Sequence, residues 1–330
     1  MASTVYVMEP PPGEQRFGGE SLQPNMAACA ITTAIIALAV VALRLYTRFF
    51  LTEAKFQLDD AFVCCAAICS IVLIPVSYGI MGTGVGLHIW DVTMEQYYPG
   101  LNIWTLVATI VYAWAVILSK LSILAFYLRL SPQRWFRVIV FSLMGAATCY
   151  VIIYTLLFIF RCNPIRKNWY NLMEGGSCMD SQTIMTVLSV LNIVMDVMTL
   201  LLPIPIIMKL NMRLAQRISI ILIMSSGVFV CAIAIQRTVQ MLGALTATDY
   251  TWEITEQFYW SYLEVNAGIL CASVPALKPF AKRHLATVFG GSSQRYGARN
   301  AHSSGPGGTE QDTDAIMMRL TPKRSSYTRF

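Results

Sequence analysis

The sequence predicts an all-α fold, a seven-transmembrane helix bundle with its N-terminus outside and its C-terminus cytosolic, and three observations carry that prediction. Apolar stretches recur at 26–47, 61–81, 102–128, 136–160, 184–208, 217–242 and 257–280, and about 20 such residues in a helix cover the roughly 30 Å of a bilayer's hydrocarbon. Hydrophobic residues make up 56% of the 330-residue chain and charged residues only 13%, far from the balance of a soluble domain. Period-two alternation of the barrel kind is absent, so the backbone hydrogen bonds of each span must close within a helix.

The spans define a membrane domain at 26–283. Before it, residues 1–25 are polar and include Pro10, Pro11 and Pro12, a composition that predicts a disordered outer segment. They lack the basic-then-apolar opening of a signal peptide, so the first span is expected to act as its own insertion signal. After it, residues 284–330 read as a disordered basic tail. Beyond Phe280, Lys282, Arg283, Arg295, Arg299, Arg319, Lys323, Arg324 and Arg329 face only Glu310, Asp312 and Asp314. Much of the net charge of +6 resides in that tail, which points to anionic lipid or a cytosolic partner rather than nucleic acid.

Taken in order, the connections alternate in charge. Arg44, Arg48 and Lys55 flank the first, Arg129, Arg134 and Arg137 the third, Lys209, Arg213 and Arg217 the fifth, and Lys278, Lys282 and Arg283 open the tail. The second and sixth carry Asp91, Glu95, Asp249, Glu253 and Glu256 instead. The positive-inside rule therefore sets the N-terminus outside. The fourth connection runs against the pattern with Arg161, Arg166 and Lys167 on the outer side. It also holds Cys162 and Cys178, a predicted disulfide in an oxidising lumen, which would stabilise the fold by about 3 kcal/mol. Cysteines 29, 64, 65, 69, 149, 231 and 271 fall in or beside spans as small packing residues.

Within the spans, Pro75 in helix 2 and Pro203 and Pro205 in helix 5 are expected to kink their helices. Gly82-Thr83-Gly84-Val85-Gly86 reads as a flexible exit from helix 2; no strand precedes it, as a phosphate loop would require. Trp90, Trp104, Trp114, Trp169, Trp252 and Trp260 lie towards the outside. They form an interfacial belt or, alternatively, the wall of an outward-opening pocket.

Four ionisable residues fall at membrane depth: Lys120, Asp196, Arg237 and Glu264. A lone charge there costs about 2.5–3.5 kcal/mol on the mildest scale, so each must face the interior and find a partner. At 1.5 Å per residue, Lys120 lies roughly 13 Å and Asp196 roughly 19 Å from the cytosolic side, a gap a lysine stem can span. Arg237 and Glu264 match in depth on the outer side. Depth and sign thus predict the pairs Lys120–Asp196 and Arg237–Glu264, serving helix packing, ligand binding, a proton relay or a switch. Asn192 lies one turn from Asp196, and Trp260, Gly268 and Cys271 share a face with Glu264.

Several chemistries are disfavoured. Helix 7 has no lysine between Gln257 and Leu277 for a retinal Schiff base, which leaves only Lys120 as a substitute. The histidines, His88, His284 and His302, all lie outside the spans, so no metal site or cofactor is predicted. Nucleophile motifs are missing. Helix 3 ends in Tyr127-Leu128-Arg129-Leu130-Ser131, without the acidic-Arg-aromatic triplet of animal-type receptors.

Several features in order resemble one family. They are Arg44 to Arg48 followed by Asp59-Asp60, Gly84-Val85-Gly86-Leu87-His88, and Lys120-Leu121-Ser122-Ile123 running on to Tyr127 and Arg129. Then come Cys162-Asn163-Pro164, Trp169, Gly176-Ser177-Cys178, Asn192, Asp196, Pro203, and Glu264 to Pro275. In this order on seven spans the chain resembles the fungal rhodopsin-like integral membrane proteins, the satratoxin-cluster membrane protein family related to Pth11-type receptors. The resemblance implies a seven-helix protein, often of a secondary-metabolite cluster, and does not imply retinal. A cysteine-rich domain before helix 1, a Pth11 feature, is not seen.

Three functions are carried forward. The first is a multi-pass accessory protein of a fungal secondary-metabolite pathway, in the plasma membrane or endoplasmic reticulum, holding a small lipophilic ligand or intermediate. The second is an orphan receptor with Ser325, Ser326 and Thr328 as tail phosphosites. The third is a cyclase or isomerase using Asp196 or Glu264 as general acid.

Overall fold

The computed structural model describes residues 5–51, 56–130, 133–170, 174–205 and 214–277. The tail at 284–330, the expected end of span five at 208, the basic residues Lys209 and Arg213, and Lys278 lie outside them. Seven long helices are found among the described residues: α1 (Gln23–Tyr46), α2 (Leu58–Gly82), α3 (Gly100–Leu130), α4 (Arg134–Ile159), α5 (Ser181–Leu201), α6 (Leu214–Thr246) and α7 (Tyr250–Ser273). Six, α1 to α6, are long and apolar enough to cross a membrane. α7 is 24 residues long but carries Glu253, Glu256 and Glu264 and falls outside that set.

Local chemistry sets several boundaries. At the start of α2 the Gln57 side chain and Asp60 form a reciprocal capping box, which satisfies amides that the first turn leaves open. Asp180 caps α5 by accepting from the amides of Gln182 and Thr183. Pro75 sits inside α2 without ending it. α5, expected to run on to 208, stops at Leu201 with a turn at Leu202–Pro203, because proline offers no amide to continue the ladder and crowds the preceding turn.

The core consists of three clusters of buried side chains. Met26, Val63, Ile80 and Ile269 join α1, α2 and α7; Ile117, Val151 and Leu188 join α3, α4 and α5; Leu124, Tyr127 and Phe136 fill the end near the α3–α4 connection. Large apolar side chains also face outward, among them Ile36, Ile68, Phe141, Ile153, Val194 and Phe229. A surface as apolar as the core is what lipid solvates and water does not.

Two expectations at the disulfide end are corrected. The N-terminal segment is not free: Val7 N donates to Val92 O at 3.1 Å, Met94 N to Val5 O at 2.8 Å, and Arg16 Nη1 to Trp90 O at 3.0 Å. Its polarity serves hydrogen bonds to the α2–α3 connection. The Gly84–Gly86 stretch is likewise a junction rather than a loose exit. Gly84 and Gly86 take φ values of +94° and +89°, a region open to glycine. Through them Leu22 N reaches Gly86 O (2.9 Å), Gly86 N reaches Thr251 O (3.1 Å), and Gln23 Nε2 reaches Val85 O (3.0 Å). The ends of α1, α2 and α7 are thereby tied together. Beside them His88 stacks between Trp90 and Trp252, with centroids 4.5 and 4.1 Å away, and its Nδ1 lies 2.6 Å from Asp249 Oδ2. Two of the expected belt tryptophans therefore clamp a histidine.

Candidate functional site

Each of the four charges at membrane depth is buried, and the structure brings them together in the expected pairs. Lys120 Nζ on α3 lies 3.0 Å from Asp196 Oδ1 on α5, and Arg237 Nε on α6 lies 2.9 Å from Glu264 Oε2 on α7. Asn192 fuses the pairs into one network: its Oδ1 accepts from Lys120 Nζ at 2.7 Å and its Nδ2 donates to Glu264 Oε1 at 3.0 Å. Tyr112 donates its hydroxyl to Glu264 Oε2 at 2.7 Å, and the Arg237 guanidinium lies 4.8 Å from the Tyr112 ring centroid. Two cations and two carboxylates cancel, which is how charge is tolerated away from water. Four helices meet there because small residues allow it: a Cβ on Gly268 would lie 2.7 Å from Ser119 Oγ. Trp260, also singled out, is half-buried and enters neither this network nor the cavities below.

The network separates two cavities. One, of about 50 Å³, is lined by Tyr112, Tyr154, Phe158, Met185, Arg237 and Phe258 among others. The second, of about 40 Å³, lies on the far side with Lys120, Tyr127, Asp196, Cys231, Glu264 and Gly268 in its wall. Asp196 Oδ2 is buried without a hydrogen-bond partner there. A third and larger space of about 320 Å³ sits at the disulfide end, bounded by Tyr97, Asn102, Arg161, Asn168, Ser181 and Tyr250 among others. It shares Thr109, Phe158 and Met185 with the first, so the two adjoin across these side chains, the larger as an antechamber and the smaller as a chamber.

Part of the antechamber wall, Arg161 and Asn168, comes from the α4–α5 connection. Cys162 and Cys178 are bonded, as expected, and pair as neighbouring two-residue strands. That pins Arg161 at the end of α4 beside the start of α5, where its Nη1 donates to Ser181 Oγ at 2.7 Å. Partial burial lowers the pKa of this guanidinium from its ordinary value, with the nearby Tyr250 opposing.

A second ionic cluster, not foreseen as one, lies at the opposite end. Arg44 Nη2 is 2.6 Å from Asp59 Oδ2, and Arg44 Nε is 3.0 Å from Asp60 Oδ1. Arg48 reaches both carboxylates, and Arg129 Nη1 lies 3.6 Å from Asp59. Arg44 Nη1 also donates to Ala272 O of α7, and Ser122 Oγ donates to Asp59 O. These arginines read as flanking positive charge in sequence; the signal for pairing was the Arg44/Arg48 spacing of one helical turn, followed by adjacent aspartates.

A family model for the fungal rhodopsin domain matches residues 43–283, from the Arg44 cluster through the whole buried network. The chain belongs to the fungal rhodopsin domain family. Membership and the six apolar helices make it a multi-pass membrane protein. Among curated relatives of this fungal rhodopsin protein is the polyenoic acids biosynthesis gene cluster protein Ba17b of Metarhizium anisopliae, 26% identical, with 80% of this chain and 75% of that one aligned. The receptor GIN3 of Arthrobotrys oligospora is 23% identical over 71% of this chain and 57% of its own length. A SAT4 family membrane protein of Emericella nidulans is 29% identical over 52% of this chain and 44% of its own length. Against these last two the chain covers only about half of the relative. No solved structure matches.

Proposed function

We propose that this protein is a seven-helix membrane protein, N-terminus outside, that holds a small lipophilic ligand or intermediate of a secondary-metabolite pathway in the chamber at its disulfide end. The observation that carries the reading is the antechamber of about 320 Å³ backed, across Thr109, Phe158 and Met185, by a smaller space with aromatic and methionine walls that reaches Arg237 of the Arg237–Glu264 pair. Ligand sites of this kind are concave and mostly apolar, with a few convergent polar groups. α7 supplies Glu264 to a network otherwise built by α3, α5 and α6, which supports its crossing alongside the other six. The Cys162–Cys178 bond supports an outer, oxidising side for the antechamber. Cluster proteins among the relatives support the pathway setting.

Deleting the gene and profiling lipophilic metabolites tests this. One product or intermediate should change in abundance and return with the wild-type gene but not with Met185→Trp, which places a bulky ring where the two spaces share a wall. An unchanged profile would reject the pathway role.

A receptor is the second reading, favoured by the relative GIN3 and by the position of the charge network between two cavities, where a ligand touching Arg237 would bias helix packing. A chain truncated after Arg283 would then still bind ligand but lose its cellular response. The enzymatic reading is less supported, since a general acid must carry a proton and each candidate carboxylate instead faces a cation.

A further inference from the structure

The buried arginines of this protein share a habit that one half-buried arginine breaks. Arg44, Arg48 and Arg237 each face a carboxylate. Arg161, lining the antechamber, takes part in no ion pair among the described residues. Its Nη1 is used by Ser181, while its Nε is buried and has no hydrogen-bond partner. A guanidinium has five N–H donors in a planar fork that matches a carboxylate.

The antechamber wall contains no aspartate or glutamate. Its two asparagines are already engaged: Asn168 Nδ2 donates to Phe158 O at 2.8 Å and Asn102 Nδ2 to Trp169 O at 3.3 Å. Among the described residues Arg161 is therefore the one charged side chain lining this space, which adjoins an aromatic chamber across Phe158 and Met185. Burying a charge without a partner is costly, and a partner of opposite sign removes that cost.

We propose that the antechamber binds a single-chain carboxylic acid, its carboxylate on Arg161 and its apolar chain running past Phe158 and Met185 toward Tyr154. The methionines Met185 and Met241 line this path and can repack around a chain. The same role gives a reason for basic residue Arg161 in the one connection that defies the charge pattern of the others. This inference rests on the ligand-holding chamber proposed above and adds the head group that selects the occupant.

The test uses the full chain in phosphatidylcholine nanodiscs, with the fluorescent conjugated acid cis-parinarate and its methyl ester, near pH 8. Wild-type protein should bind the acid saturably and the ester on the order of tenfold more weakly, the scale of a charge-assisted hydrogen bond. Arg161→Gln, checked for an unchanged melting transition, should bring the acid down to the ester's affinity, and Arg161→Lys should retain part of the preference. If Arg161→Gln does not fold, the acid-ester comparison on the wild type decides alone.

Equal binding of acid and ester would overturn carboxylate selection while leaving the chamber intact. Binding of neither, with no effect of Met185→Trp, would overturn the chamber as well. Loss of parinarate binding when phosphatidylserine replaces the neutral lipid would make a bilayer phospholipid the occupant and overturn the single-chain acid.

Discussion

Replacing Glu264 by glutamine removes one charge from the centre of the bundle and changes its volume little, so the outcome reports almost wholly on electrostatics. Glu264 accepts from Tyr112 at 2.7 Å and from Asn192 at 3.0 Å, and stands 2.9 Å from Arg237 Nε. The amide oxygen of glutamine can keep one of these acceptor roles, while its NH2 must face another donor. If only hydrogen bonds mattered, the loss would be small, since such bonds between membrane helices average about 0.6 kcal/mol. The larger effect is Arg237, left buried without a counter-charge, and breaking a buried pair in that way costs about 3–5 kcal/mol. Unfolding of purified protein in mixed micelles, followed by tryptophan fluorescence or circular dichroism, should show a loss in the higher range. Arg237→Met alone should cost a similar amount, and the double variant should recover much of it, giving a coupling energy above about 1 kcal/mol. A loss near 0.6 kcal/mol for Glu264→Gln, or a double variant no better than the sum of the singles, would refute the charge-pair account.

Asp59→Asn should destabilise by about 3–5 kcal/mol, since it leaves Asp60 as the one carboxylate facing both buried Arg44 and Arg48, whereas Arg129→Ala, with a side chain 44% exposed, should cost under about 1 kcal/mol; melting temperatures rank the two. Gly268→Ala places a methyl 2.7 Å from Ser119 Oγ, should cost about 1–3 kcal/mol, and should be partly rescued by Ser119→Ala in the same melting assay. The Asp180 carboxylate is held below its usual pKa by hydrogen bonds from the hydroxyl and the amide of Thr183. Its stabilising effect is therefore complete above the ordinary carboxylate value and lost as pH falls through the lowered one, so Asp180→Ala should melt below wild type at pH 7 and converge with it under strong acid.

The legible parts of this fold were those governed by solvent. Hydrocarbon demands long apolar helices, and it makes a charge at 120 or 237 seek an opposite charge at equal depth, so Lys120–Asp196 and Arg237–Glu264 could be paired from position and sign. Asn192 was visible as a neighbour of Asp196, but its bridge to Glu264 depends on the rotation of α5 against α7, which periodicity does not contain. The Arg44 cluster was hidden because flanking arginines serve orientation equally well without any partner. Arg161 registered only as an inconsistency in loop charge; its meaning needed the cavity beside it. The N-terminal segment misled through composition, since proline-rich polar chain resembles disorder until the α2–α3 connection it pairs with is known.

The first helix is stitched to the last. Tyr259 reaches back to Leu22, Asn266 to Thr33, and Ala272 to Arg44. A ribosome has to complete nearly the entire membrane domain before any of these contacts exists, so α1 waits in the bilayer with Arg44 lacking its carbonyl while Arg237 arrives ahead of Glu264. Biogenesis therefore has a late closing event, and a nonsense mutation between residues 238 and 250 would leave an open ring of helices with the Arg237 cation lacking Glu264, rather than a shortened working protein.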